Sequence, residues 1–104
     1  MTMERRSFER ISTNINARFF YDNMFYTGSI LNLSERGLFL STKRCLPSDS
    51  MFVIIIRLEE KYLKLVAKVK RLAQGEGYYN GMGVEILTTS VSYLNFIRDL
   101  KVSV

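Results

Sequence analysis

The sequence predicts a mainly β domain, in which six strands close into an antiparallel barrel and one C-terminal helix caps it. Apolar and polar residues alternate in short segments over residues 15–87, which is the period of half-buried strands. The period changes once, near the C-terminus, where apolar residues recur at helical spacing. Because strands and helices do not alternate along the chain, the pattern favours a barrel over a parallel sheet with crossover helices.

The N-terminal segment is predicted to lie outside the barrel. Residues 1–14 are polar and basic, with too few apolar residues to hold a helix by packing. We predict a flexible, arginine-bearing arm here. The first strand follows, because every second residue is apolar. These residues are Ile15, Ala17, Phe19 and Tyr21.

Five further strands follow from the same alternation and from the turn residues between them. They are predicted at about residues 25–33, 38–42, 51–58, 62–72 and 78–87. The fourth is continuously apolar over residues 51–56 and rich in β-branched residues, so it is predicted to run through the core. The fifth is predicted to have one solvent-exposed, basic face formed by Lys64, Lys68 and Lys70. Gly81 and Gly83 inside the sixth indicate a bulge or a close backbone contact.

An amphipathic helix is predicted over residues 89–101, with Thr89 or Ser90 as its N-cap. Four apolar residues in it have the i, i+3, i+4, i+7 spacing of one helix face. They are Tyr93, Phe96, Ile97 and Leu100. The chain of 104 residues is therefore predicted to be one domain, with an arm (1–14), a barrel (15–87) and a helix (89–101).

The composition excludes several classes of function. The chain has no histidine, which removes Ser-His-Asp and Cys-His catalysis and histidine-ligated metal sites, so we predict neither an enzyme nor a metalloprotein. Cys45 is the only cysteine and has no disulfide partner, which favours a cytoplasmic location. The longest apolar run is six residues and no secretion signal is visible, so no membrane insertion is expected. The net charge of +5 favours anionic partners.

Two short motifs carry the chemistry. Arg6 and Arg10 have the spacing R-x-x-x-R, and Asn32, Ser34 and Gly37 have the spacing N-x-S-x-x-G. On an extended backbone, Asn32 and Ser34 would point to the same face. Gly37 indicates either a positive φ or a ligand that approaches bare backbone. Guanidinium groups ahead of such a surface predict a site for a ligand that carries phosphates and planar bases.

In this order, with a strand between them, the two motifs resemble those of PilZ domains, which are bacterial receptors for cyclic di-GMP. The resemblance covers nearly the whole chain, including the stretch 83–85 (Gly-Val-Glu) in the last strand and the closing helix. It implies a PilZ-type barrel without enzyme activity or cofactor, whose ligand is cyclic di-GMP. It also implies that ligand binding orders the N-terminal arm and creates a surface for an unidentified protein partner.

The resemblance also implies a role for each motif residue. Arg6 and Arg10 would hold phosphates and the Hoogsteen edge of one guanine. Asn32 and Ser34 would hydrogen-bond a guanine or its ribose, and Gly37 would let the backbone come near the ligand. The family has aspartate or asparagine at the position of Asn32, and asparagine keeps the acceptor while it adds a donor.

Three further arginines are candidates. Arg5 directly precedes the motif and could stack on a guanine, as in family members that bind cyclic di-GMP as an intercalated pair. The expected stoichiometry is therefore one or two ligand molecules per chain. Arg36, inside the second motif, is expected to be exposed and within reach of the ligand. Arg71 lies on a strand that family folds bring near the site.

Two other functions stay open. A PilZ-type adaptor binds protein but no nucleotide, although such members usually lack the arginine motif that this chain has. A small basic barrel could instead bind single-stranded nucleic acid, which requires exposed aromatic residues on a basic strand face. The basic fifth strand interleaves lysine with Val66 and buried aliphatic residues, so nucleic acid is not expected.

Overall fold

The computed structural model describes residues 9–103, which form six strands and one helix. They are β1 (Ile11–Tyr21), β2 (Met24–Leu33), β3 (Gly37–Ser41), β4 (Met51–Arg57), β5 (Tyr62–Gln74), β6 (Tyr79–Ile86) and α1 (Val91–Ser103). The strands form a closed barrel in the order β1-β2-β3-β6-β5-β4, with every neighbouring pair antiparallel. The predicted six-stranded antiparallel barrel with a C-terminal helix is confirmed.

The barrel begins earlier in the chain than the sequence predicted. The arm was predicted over residues 1–14, but β1 starts at Ile11, so residues 11–14 belong to the strand. Ser12 pairs with Asn32, and the register then shifts before Ile15. Exposure still alternates through this stretch, but the half-buried position between Ile11 and Ile15 is occupied by the polar Thr13, whose hydroxyl donates to the Ile30 carbonyl at 2.7 Å. A polar residue at this position hid the start of the strand from pattern analysis. The prediction of an arm up to residue 14 was therefore wrong over residues 11–14.

The β1–β2 hairpin follows from its turn residues. Asp22 and Asn23 connect Tyr21 to Met24 and have φ angles of 51° and 64°. Positive φ at both central residues is the geometry of a two-residue hairpin turn, and Asp and Asn tolerate it better than other non-glycine residues. This short turn keeps β1 and β2 in register over most of their length.

Inward-facing side chains from all six strands form the core. Phe19 is fully buried; its ring stacks on Tyr26 at a centroid distance of 5.3 Å and meets Phe52 edge-on at 5.7 Å. Burying such a side chain stabilises the fold by about 1.5–3 kcal/mol. The aromatic cluster therefore holds β1, β2 and β4 together from inside.

The helix α1 is anchored on the barrel by its apolar face. Tyr93 and Ile97 of this face are buried, in agreement with the predicted spacing. The Ser90 hydroxyl accepts a hydrogen bond from the Tyr93 backbone N–H at 3.1 Å, which confirms Ser90 as the N-cap. Within the described residues, no helix is long and apolar enough to cross a membrane.

Candidate functional site

Residues of both predicted motifs meet at one end of the barrel. Arg10 directly precedes β1, Asn32 lies near the end of β2, and Gly37 begins β3. The Arg10 guanidinium donates from Nη1 to Oδ1 of Asn32 at 2.5 Å. Its Nη2 lies 3.8 Å from the position that a β-carbon on Gly37 would occupy. The fold thus brings a guanidinium, an amide and a bare backbone together, although Arg10 precedes the other two residues by more than twenty positions.

Gly37 is required by a close backbone approach rather than by its own φ angle. The glycine with positive φ among the described residues is Gly77, not Gly37. A β-carbon on Gly37 would stand 2.7 Å from the carbonyl oxygen of Val84 on the neighbouring strand β6. This distance is too short for a nonbonded carbon–oxygen contact, so only glycine fits between β6 and the Arg10 guanidinium.

Ser34 lies in the turn between β2 and β3. Its backbone N–H donates to the Gly37 carbonyl at 2.8 Å, while its hydroxyl lies 3.4 Å from the same carbonyl and 3.4 Å from the Arg36 backbone N–H. The side chain is only 3% exposed. The extended backbone ends at Leu33, so the expectation that Asn32 and Ser34 share one open face was wrong. The hydroxyl of Ser34 stabilises the turn that places Gly37.

Tyr93 connects α1 to this turn and was not predicted as part of the site. Its hydroxyl donates to the Ser34 carbonyl at 2.6 Å, and the residue is completely buried. Burial raises the pKa of Tyr93 far above its usual range; the nearby Arg10 charge opposes this rise and Glu35 adds to it. The hydroxyl therefore stays protonated and remains a donor. The helical spacing of Tyr93 in the sequence predicted a core position. Its hydrogen-bond partner could not be predicted, because that depends on how the helix docks on the barrel.

A row of paired residues continues the site across the outer face of the barrel. Asn32 pairs with Phe39, Phe39 with Gly83, and Gly83 with Arg71. Directly paired residues on neighbouring strands point to the same side of a sheet. Asn32, Phe39 and Arg71 therefore face outward at one level of the barrel, from β2 across to β5.

Two side chains cover glycines on the outside of β6. The Phe39 ring covers Gly81, and the Arg71 side chain covers Gly83, with its Cγ and Nε each 3.1 Å from where a β-carbon would stand. A register shift in β5 immediately precedes Arg71. The close backbone contacts expected at both glycines are confirmed. An aromatic ring and a guanidinium thus lie over two glycines that are two residues apart on β6. The sequence analysis did not identify Phe39 as part of the site.

The charged residues around the site are mostly basic. Glu85 pairs with Gly37, and its carboxylate forms an ion pair with Lys70 at 3.8 Å. Both side chains are well exposed, so the pair itself contributes about 0–1 kcal/mol. Arg36 is exposed, as expected, and its carbonyl accepts a hydrogen bond from the Ile86 N–H. Arg5 and Arg6 lie outside the described residues, so Arg10 is the member of the arginine motif that the structure places.

Comparison with known proteins identifies the fold. The family model described as PilZ domain matches residues 4–101. No curated protein sequence matches the chain significantly. Among solved structures, the chain is similar to the PilZ domain of CeSA from a cellulose-synthesizing bacterium. The TM-score is 0.68 at 18% identity, covering 88% of this chain and 94% of that one.

Two further solved structures have the same fold. The Escherichia coli YcgR PilZ domain, solved with cyclic di-GMP, matches with a TM-score of 0.69 at 16% identity, covering 90% of this chain and 86% of that one. The Bacillus subtilis inhibitor of motility, MotI/DgrA, matches with a TM-score of 0.72 at 17% identity. That match covers 95% of this chain but 52% of the longer relative. Because the family model spans nearly the whole sequence, the chain belongs to the PilZ domain family.

Proposed function

We propose that this chain is a receptor for cyclic di-GMP and that it has no enzyme activity of its own. The observation that carries the proposal is the meeting of Arg10, Asn32 and Gly37 at one end of the barrel. The ligand combines phosphates with guanines, and arginine binds both phosphate oxygens and the O6/N7 edge of guanine through paired N–H donors. The YcgR PilZ domain, which has the same fold, was solved with this ligand.

Within this proposal, Arg10 and Asn32 act as a pair. The Asn32 carbonyl oxygen already accepts from the Arg10 guanidinium, which orients the remaining N–H donors of Arg10. The Asn32 amide NH₂ group then donates to an acceptor on the guanine or its ribose. An asparagine at this position therefore supports the arginine and contacts the ligand at the same time. Ser34 contributes through the turn that positions Gly37 beside the Arg10 guanidinium.

The outer row of the barrel supplies the surface on which the bases lie. Phe39 and Arg71 both present flat groups over β6. Stacking of a base on an aromatic or guanidinium plane is worth about 1–3 kcal/mol per base. Arg6 closes over the ligand from the N-terminal segment, and Arg5 stacks on a second ligand molecule. Arg36, exposed in the turn, is a further candidate contact.

The signal reaches a protein partner through the elements that the site touches. Ligand binding at the turn between β2 and β3 acts on Ser34, whose carbonyl is hydrogen-bonded to Tyr93 of α1. A change at the turn therefore biases the position of the helix. The ligand stabilises one arrangement of the N-terminal segment and helix by its differential affinity for that arrangement.

The direct test is a calorimetric titration of the chain with cyclic di-GMP. We expect wild-type protein to bind, and Arg10→Ala to bind with about 5- to 150-fold lower affinity. That range corresponds to about 1–3 kcal/mol for one lost bidentate guanine contact. Arg6→Ala should weaken binding comparably. Arg44→Ala is the matched control, because Arg44 is exposed and lies in the loop after β3, away from both motifs.

The stoichiometry of the same titration tests the role of Arg5. Two ligand molecules per chain in wild type, falling to one in Arg5→Ala, would support an intercalated pair. One molecule in both proteins would reject that role and leave the receptor proposal intact. If wild-type protein releases no heat and shows no thermal shift with ligand, the receptor proposal is wrong. A PilZ-type adaptor that binds protein alone would then be the better assignment.

A further inference from the structure

A second outer surface lies on the side of the barrel away from the motifs. In the strand order β1-β2-β3-β6-β5-β4, the junction of β1 with β4 is opposite the junction of β3 with β6. Outward-facing residues on β1 and β4 are in register with outward residues of β2 and β5. We call this the β1/β4 surface. It consists of Arg18, Phe20, Phe25, Met51, Val53, Ile55, Arg57, Tyr62, Lys64, Val66 and Lys68.

The centre of the β1/β4 surface is apolar. Phe20 pairs with Phe25 on one side and with Val53 on the other, and Val53 pairs with Val66. The rings of Phe20 and Phe25 are 4.9 Å apart, and Phe25 is 57% exposed. Ile55 lies one row further along β4, between Arg18 and Lys64. The other four members, Phe20, Val53, Ile55 and Val66, are half-buried. A contiguous apolar patch, even a partly exposed one, marks an interaction site more often than isolated surface residues do.

Cations surround this apolar centre. Arg18 flanks Ile55 on β1, Lys64 flanks it on β5, and Lys68 pairs with the exposed Met51. The guanidinium of Arg18 also lies 5.9 Å from the centre of the Phe25 ring. None of the residues that form the surface is acidic. The excess positive charge is therefore left for a partner to neutralise.

The acidic residues next to this surface lie at its edges: Asp49 just before β4, Glu85 of β6 opposite Lys68, and three more in the flanking turns. Asp22 lies in the β1–β2 turn, and Glu59 and Glu60 lie in the β4–β5 turn. Between these turns is an open cleft of about 710 Å³ on the outside of the barrel. Its lining includes Arg18, Phe25, Ile55, Arg57, Tyr62 and Lys64. Apolar, aromatic and basic groups are thus available to one ligand within a single concave surface.

We propose that the β1/β4 surface is a docking site for an acidic segment of another protein that also carries apolar side chains. An apolar centre with a charged rim, enriched in aromatic residues, Met and Arg, is the anatomy of a protein–protein interface. Charge complementarity requires an acidic partner. Nucleic acid fits less well, because the central side chains Val53, Ile55 and Val66 are aliphatic. The exposed rings, Phe25 and Tyr62, lie on the flanking strands β2 and β5 instead of forming a continuous stacking surface.

This docking site is separate from the proposed nucleotide site. The row from Asn32 to Arg71 occupies β2, β3, β6 and β5, centred on the β3–β6 junction. Arg10 precedes β1, but its guanidinium is directed to Asn32 and Gly37 on β2 and β3. A partner on the β1/β4 surface therefore leaves the nucleotide site uncovered, and both sites can be occupied together. The docking proposal stands whether or not the chain binds cyclic di-GMP.

The test is selection of binders from a random library of short linear peptides displayed on phage, using the full chain as bait. We expect the selected peptides to be enriched in Asp and Glu next to Leu, Ile or Phe. Binding of one synthesised peptide, followed by fluorescence anisotropy, should weaken by about tenfold or more in R57E/K64E. It should also weaken in F25S, which removes an exposed apolar contact, and with rising salt.

The matched control is K43E/R44E, which changes the net charge equally at exposed positions outside the β1/β4 surface. Equal loss of peptide binding in both double variants, or no acidic and apolar enrichment, would overturn the proposal. Tight binding of an oligothymidylate, or of phosphatidylserine vesicles, would also overturn the proposal if R57E/K64E abolished it and K43E/R44E did not. The surface would then bind nucleic acid or membrane instead of protein. Self-association abolished only by R57E/K64E would assign it to a second copy. Retained cyclic di-GMP binding in R57E/K64E would separate these outcomes from failure of the nucleotide proposal.

Discussion

Replacing Tyr93 by alanine is expected to lower the free energy of unfolding by about 3–5 kcal/mol, the cost of removing a large buried ring from a packed core. Tyr93 is completely buried between α1 and the barrel, and its hydroxyl is hydrogen-bonded to the Ser34 carbonyl. The substitution removes the ring and the donor together. Urea denaturation followed by circular dichroism measures the loss as a lower midpoint.

Tyr93→Phe separates the two contributions of Tyr93. This variant keeps the ring but leaves the Ser34 carbonyl without its donor, which should cost about 1–3 kcal/mol. Because the hydrogen bond positions the turn that carries Gly37, Tyr93→Phe should also weaken binding of cyclic di-GMP if the receptor proposal is correct. A Tyr93→Phe protein as stable as wild type would show that the hydrogen bond does not hold the helix to the turn.

Most of the fold could be predicted from sequence because each strand buries one face. Along β5, alternate residues are buried, and this period is visible in the chain itself. In β4 alternate residues are also buried, but its sequence is continuously apolar over residues 51–56, so the prediction that β4 runs through the core missed its outward face. The start of β1 could not be predicted in the same way. There the polar Thr13 occupies a half-buried position, which hides the alternation, and the pairing of Ser12 with Asn32 depends on a residue twenty positions away.

The candidate site could be predicted only in part. The motif residues are visible because their types and spacing resemble those of a family. In the sequence, Phe39 and Tyr93 cannot be distinguished from ordinary core residues. The position of Phe39 over Gly81 depends on the strand order, and the hydrogen bond of Tyr93 to Ser34 depends on how the helix docks. The β1/β4 surface was missed for the same reason. Its aromatic and basic residues come from different strands, whereas the sequence analysis considered the basic face of the fifth strand alone.

Replacing Gly37 by valine is expected to cost about 3 kcal/mol of stability, the upper part of the range for overpacking. A β-carbon at this position meets the Val84 carbonyl oxygen at 2.7 Å, and this atom belongs to the backbone of β6. Relief of the contact requires β3 and β6 to separate, although their pairing is one of the contacts that close the barrel. Thermal and urea denaturation of Gly37→Val against wild type measure the cost.

Gly81→Ala is the informative control for Gly37→Val, because both substitutions add a side chain to a glycine beside the proposed site. At Gly81 the added carbon meets the ring of Phe39, which lies on the outer face and can rotate away. We expect a stability loss below about 1 kcal/mol there, together with weaker binding of cyclic di-GMP because the base loses its stacking surface. At Gly37, stability and binding should fall together, since backbone cannot yield as a side chain does. If Gly37→Val were as stable as Gly81→Ala, the close approach of β3 and β6 would not be the reason for glycine at position 37.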